Sequence, residues 1–158
     1  MIYFYSSGFA GAIFLNLVFI SRQFTLGKNE RLKSRKIIEQ LFREGKNFSL
    51  FPFRIYYLHH KSFTIHHSPF TVQFGVGASS KNFKKAVDRN RIKRLMKEAY
   101  RLQKTNLNNL LKERNQQVSV FVIYTGKELP EYKMVFEKMG VILQRLINVV
   151  SEKNSSNT

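Results

Sequence analysis

The segment from Lys81 to Lys104, KNFKKAVDRNRIKRLMKEAYRLQK, holds ten basic residues and two acids without a Pro or Gly to interrupt it. Wound as an α-helix at about 100° per residue, it separates into two faces. Ile92, Leu95, Met96, Ala99 and Leu102 fall on one side; Lys93, Arg94, Lys97, Arg101 and Lys104 fall on the other. Such a helix must lie on the outside of a domain, apolar side on the core and cationic side in water. Helices that are merely soluble usually alternate the sign of their charges, and this one does not. Its outer face therefore asks for a polyanion, and RNA or DNA fits best.

The rest of the chain supplies the core that this helix needs. With 158 residues, 43% of them hydrophobic and fifteen phenylalanines, it has the material for one folded domain, not a disordered basic tail. A net charge of +17 spread through that domain favours nucleic acid over a membrane surface, where a juxtamembrane basic cluster is expected. The absence of cysteine excludes disulfides and thiolate metal sites, and is compatible with a reducing cytoplasm. His59-His60 and His66-His67 have no carboxylate near them in sequence and read as loop residues, not metal ligands.

Periodicity orders the elements. Residues 33–45 have helical spacing, with Ile37, Ile38, Leu41 and Phe42 as the stripe, Ser34 as N-cap and Gly45 as the stop. Residues 53–58 and 70–78 are rich in β-formers and predict an antiparallel pair joined across the histidine loop, with a short edge strand at 46–50. The basic helix is expected to run unbroken from about Lys84 to Lys112. VSVFVIY at 118–124 predicts a buried strand ended by Thr125-Gly126, and 131–150 a closing helix. The expected fold class is α+β, helices packed on a small sheet. The domain is expected over 24–150, with a polar, disordered tail at 151–158.

The first 23 residues form an apolar extension whose first charge is Arg22. A secretory signal would carry a positive n-region ahead of its apolar run, and this one does not. A membrane anchor is long enough on paper but is weakened by Ser6, Ser7, Gly8, Gly11 and Asn16. The third reading, an over-extended start or a disordered appendage before Phe24-Thr25-Leu26, is the one we favour.

No catalytic constellation stands out. The ten acids are scattered and form no D-x-D or H-x-E pattern, so each reads as a solvated charge or a helical partner for Lys or Arg. Arginine offers planar donors for phosphate and lysine a mobile point charge, and Asn90 between Arg89 and Arg91 suits a contact that fixes register. Phe42, Tyr56 and Phe74 are candidates for stacking unpaired bases, though core packing is the commoner role of any single one. Strand alternation sets Phe53, Ile55 and Tyr57 on one face and Arg54, Tyr56 and Leu58 on the other. An arginine sharing a face with a tyrosine points to a wet surface there.

These residues carry a resemblance. Lys85-Ala86-Val87-Asp88-Arg89-Asn90-Arg91-Ile92-Lys93-Arg94, with Glu98 following, resembles the signature helix of the protein component of bacterial ribonuclease P. Arg31-Leu32-Lys33, Phe42 with Gly45, and Phe74-Gly75-Val76 ahead of Ser79 and Lys81 match the same family in order and spacing, over roughly residues 24–148. The resemblance implies the order α-β-β-β-α-β-α with a left-handed crossover around the basic helix, of the ribosomal protein S5 domain 2-like type. It implies a subunit of the endoribonuclease that removes the 5′ leader from precursor tRNA, with hydrolysis and most of the Mg²⁺ belonging to the RNA subunit and no cofactor held by the protein alone. Lys85, Arg89, Asn90, Arg91, Lys93, Arg94, Lys97 and Arg101 would bind the catalytic RNA. Ile38, Phe42, Arg54 and Tyr56 would line a cleft for the leader. Ile38 stands where an aromatic is common, and Ser80 where a lysine is. The implied partners are the catalytic RNA and precursor tRNA, with no DNA and no membrane, and a cytoplasmic protein that is monomeric within the holoenzyme. The alternative is a structural, ribosomal-type RNA-binding protein; a stand-alone nuclease or a membrane-tethered protein fits less well.

Overall fold

In the computed structural model, which describes residues 26–60 and 72–152, four strands form one sheet between two helical layers. The order is α1 (Arg35–Glu44), β1 (Lys46–Leu50), β2 (Phe53–His60), β3 (Val72–Ala78), α2 (Ala86–Gln103), α3 (Thr105–Glu113), β4 (Gln117–Tyr124) and α4 (Tyr132–Glu152). Across the sheet the strands run β1-β2-β4-β3. β1 and β2 are antiparallel, β2 and β4 antiparallel, and β3 and β4 parallel. The fold class is therefore the expected α+β, with the basic helix dividing in two.

The expected β2–β3 pair does not form. β4 lies between them, with Tyr56 opposite Phe121 on one side and Gly75 opposite Phe121 on the other. Neighbours in sequence usually pair, but the most continuously apolar strand gains most from the centre, where both its faces are covered. β3 and β4 then run parallel, so the chain needs a long crossover between them, and α2 with α3 supplies it.

One face of the sheet carries the main core. Phe53, Ile55 and Tyr57 of β2, Phe74 of β3, and Val120, Val122 and Tyr124 of β4 meet Ile92, Met96, Ala99 and Tyr100 of α2 and Val135, Met139, Ile142 and Leu146 of α4. Phe74 stacks flat on Tyr100, centroids 3.7 Å apart. Tyr100 belongs to the buried stripe, whereas Leu102, expected in it, is exposed. At 100° per residue Leu102 lies about 80° from the axis through Ile92. The other face holds α1, whose Leu41 is fully buried with Leu32 in a smaller apolar layer separate from that core.

Several boundaries differ from expectation. The basic helix does not continue to Lys112: it breaks at Lys104 and restarts at Thr105 without Pro or Gly. Lys104, expected on the cationic face, is turned inward and bonded to Glu30, and Leu107 and Leu111 then return the apolar side to the core. α3 ends in a Schellman motif: Gln116 N–H donates to Leu111 O, Asn115 N–H to Lys112 O, and Asn115 takes the left-handed φ of 51°. Ser34 sits at the N-cap of α1 but its side chain makes no capping bond. At the end of α1 Gly45 is extended and takes no left-handed turn; a side chain there would run into Leu41 O. His59 and His60 are strand residues, not loop. Ser151 and Glu152, expected in the tail, continue α4. The apolar extension, His66-His67 and the remainder of the tail fall outside the described residues.

Candidate nucleic-acid interface

Two surfaces on opposite sides of the sheet emerge from these elements. The first is the outward side of α2. Asn90, Arg94, Lys97 and Arg101 fall within about 60° of one another on the helical wheel, and Arg91 flanks them. Lys85, at the N-cap position, Asn90, Arg91, Arg94 and Lys97 are exposed, and Lys93 is half-buried. Two predicted contacts are partly engaged within the protein. Arg101 forms an ion pair with Glu98 one turn back, its Nε 2.9 Å from the carboxylate, and this holds the Glu98 carboxyl below its usual range. Arg89 turns its guanidinium back, donating from Nη1 to Phe83 O at 2.8 Å and Lys84 O at 2.7 Å. It thereby clamps the loop that leads into α2.

The second surface lies on the far face, where α1 crosses β2 and β4. Phe42 is 42% exposed and meets Tyr56 edge-on at 4.8 Å and Phe121 at 5.4 Å between centroids. Tyr56 is half-buried, and Arg54, two residues along the same face, is exposed. Ile38 lies one turn before Phe42 on the same side of α1 and is half-buried. Ile38, Phe42, Arg54 and Tyr56 are thus brought to one face. Phe74, the third aromatic candidate, is on the opposite face in the core.

Phe121 escapes a reading of the sequence. It stands in the middle of β4, in an apolar run where nothing distinguishes an outward phenylalanine from a core one. The usable signal is on the neighbouring strand. Gly75 and Gly77 alternate with the core residues of β3, and a Cβ on them would meet the Phe121 ring at 2.5 and 3.0 Å. Two glycines facing one ring leave room for Phe121 to lie close against β3 on this face. A methyl at Gly75 would push the ring out of place.

Further along this face, His60 Nε2 lies 2.8 Å from Ser119 Oγ, and Ser119 reaches Gln73 Oε1 at 3.5 Å. Burial holds the His60 pKa below its ordinary value. Between that lowered pKa and about 6.5 the unfolded chain binds more protons than the folded one, so stability rises with pH there. The His60 contribution is complete above about 6.5 and is lost as the solution is acidified through that window. His60→Gln should flatten this part of a melting-temperature profile taken from neutral to mildly acidic pH; an unchanged slope would show that His60 does not cause it.

Among the described residues, no three His, Asp or Glu side chains come together as metal ligands. No helix among them is long and apolar enough to cross a membrane.

Comparison with known proteins gives the family and the fold. Residues 26–147 match the family model described as Ribonuclease P. A Porphyromonas gingivalis protein named ribonuclease P protein component is 37% identical over 123 residues, covering 78% of this chain and 87% of the relative. One of the same name from Chlorobium phaeobacteroides is 32% identical over 129 residues, covering 77% and 88%. Among solved structures, the Staphylococcus aureus RNase P protein superposes with a TM-score of 0.58 at 18% identity, covering 74% of this chain and 94% of that one. The Thermotoga maritima RNase P protein gives 0.56 at 23% identity, covering 73% and 96%. These two likenesses bear on the fold alone.

Proposed function

This chain belongs to the ribonuclease P protein family, and from that premise we propose how its two surfaces divide the work of the holoenzyme. The chain is a protein subunit of the endoribonuclease that matures the 5′ end of tRNA, and catalysis resides in the RNA subunit. The outward side of α2, with Lys85, Asn90, Arg91, Lys93, Arg94 and Lys97, docks the catalytic RNA through its phosphates. Arg101 adds to that field with part of its charge neutralised by Glu98. The cleft of Ile38, Phe42, Arg54, Tyr56 and Phe121 holds the single-stranded 5′ leader of precursor tRNA. There the rings stack unpaired bases and Arg54 meets the backbone.

The observation that carries this reading is the separation of the two surfaces by the sheet. One monomer can grip the catalytic RNA with α2 and the leader with α1 and the sheet, without either displacing the other. The protein then adds binding energy and register to a reaction whose Mg²⁺ belongs to the RNA. Its own carboxylates do not gather into a ligand set among the described residues. A cytoplasmic location follows from the substrate.

Reconstitution tests the proposal. The purified protein should let ribonuclease P RNA process precursor tRNA at low Mg²⁺, where the RNA alone is slow. Absence of stimulation at every salt and Mg²⁺ concentration would refute it. Within the reconstituted enzyme, Tyr56→Ala or Phe121→Ala should weaken precursor binding about 5- to 100-fold, the worth of one stacked base. Affinity for mature tRNA, which has no leader, should stay the same. Phe42→Ala should behave alike; if it lowers the melting temperature and leaves precursor affinity intact, Phe42 is a packing residue.

A further inference from the structure

The turn between β1 and β2 presents Phe51, which at 81% is the most exposed of the large hydrophobic side chains among the described residues. Single apolar residues on a surface are ordinary. This one differs in how it is held and in what surrounds it. The next residue, Pro52, accepts two hydrogen bonds at its carbonyl from Thr125, one from the backbone N–H at 2.8 Å and one from Oγ1 at 2.9 Å. Asn82 in turn donates from Nδ2 to Thr125 O at 2.9 Å and Gly126 O at 3.0 Å. Three loops, 51–52, 79–85 and 125–131, are thus tied together at one end of the sheet. They expose Lys81, Lys84, Lys85 and Lys127, against the acids Glu128 and Glu131. The middle loop runs straight into α2, where Arg89 fastens it through Phe83 O and Lys84 O.

We infer that Phe51 is a stacking contact for an unpaired base of the catalytic RNA, extending the α2 docking surface onto this loop cluster. The inference rests on the reading of α2 given above. An exposed ring whose backbone is fixed at both sides of the turn loses little freedom on binding. Lysines around it suit the phosphates on either side of a splayed base. Continuity with α2 through the Asn82 loop selects the catalytic RNA over the leader, which the cleft on the α1 face receives.

The test measures the affinity of the full-length protein for the catalytic RNA transcript across a series of KCl concentrations. Phe51→Ala should weaken binding about tenfold, by a similar factor at every salt, because stacking releases no counterions. Phe51→Tyr should restore it. Lys127→Ala should instead reduce the slope of log K against log salt by about 0.7–0.9. The melting temperature of Phe51→Ala should equal that of the wild type, and precursor affinity of the assembled holoenzyme should not change. If wild type and Phe51→Ala bind the catalytic RNA equally, this inference fails and the α2 reading stands. It fails in the same way if the loss appears only in precursor binding. If the wild-type protein does not bind the catalytic RNA, both fall.

Discussion

Lys104→Met will destabilise the protein by about 3–5 kcal/mol, the usual cost of removing one partner from a buried ion pair. Lys104 Nζ lies 2.7 Å from both carboxylate oxygens of Glu30, with side-chain exposures of 4% and 16%. Glu30 is itself fixed: Gly27 N–H donates to its carboxylate and Phe74 N–H to its backbone carbonyl, each at 2.7 Å. The pair therefore fastens the segment ahead of α1 to the point where α2 ends. Methionine would leave that carboxylate without its ammonium, beside the buried Tyr100. The Tyr100 hydroxyl has no hydrogen-bond partner among the described residues, and its pKa is pushed up by burial and by the charge of Glu30. Urea unfolding should show the loss as a lower midpoint. The double substitution Glu30→Leu with Lys104→Met should recover much of it, because two apolar groups of similar size replace a pair that was costly to desolvate. The affinity of the folded single variant for the catalytic RNA, and its salt dependence, should match the wild type. A reduced salt slope with unchanged stability would mean that Lys104 faces RNA after all.

Lys104 also shows where reading from sequence runs out. Helical phase assigns it to the cationic side together with Lys97 and Arg101, and phase alone holds only while the helix is straight. The break falls at a residue whose partner lies seventy-four residues earlier in the chain, and no local pattern announces a contact at that distance. The strand order is hidden for the same reason. β2 and β3 are each legible from composition, but which strand takes the centre depends on competition for burial among all of them. Local signals do better. The alternation in β2 correctly separates Phe53, Ile55 and Tyr57 from Arg54 and Tyr56, because one residue's orientation fixes the next. The basic motif is recognisable because its charge imbalance needs no tertiary information. Phe121 lies between these cases. Its neighbours in sequence hide it, and only the glycines of β3, across the ladder, reveal it.

Arg91→Ala should weaken binding of the catalytic RNA about 10- to 100-fold, the range for one hydrogen-bonded charge at about 1.5–3 kcal/mol. It should also lower the slope of log K against log salt by about 0.7–0.9, one phosphate's worth of counterion release. Arg91 is exposed on the first turns of α2, so its loss should leave stability within about 0.5 kcal/mol of the wild type. Arg89→Ala should behave differently although it is two residues away. Its guanidinium already donates to Phe83 O and Lys84 O, so alanine frees the loop that enters α2 and displaces Asn82, Lys84 and Lys85 together. The expected result is a lower melting temperature as well as weaker RNA binding. Arg89→Lys should recover little of either, because an ammonium lacks the planar, multiply donating head that reaches both carbonyls. In the double variant the losses should fall short of the sum of the two, since a loosened α2 entrance already misplaces Arg91. Strict additivity, with Arg89→Ala as stable as wild type, would make Arg89 a second independent phosphate contact and remove its positioning role.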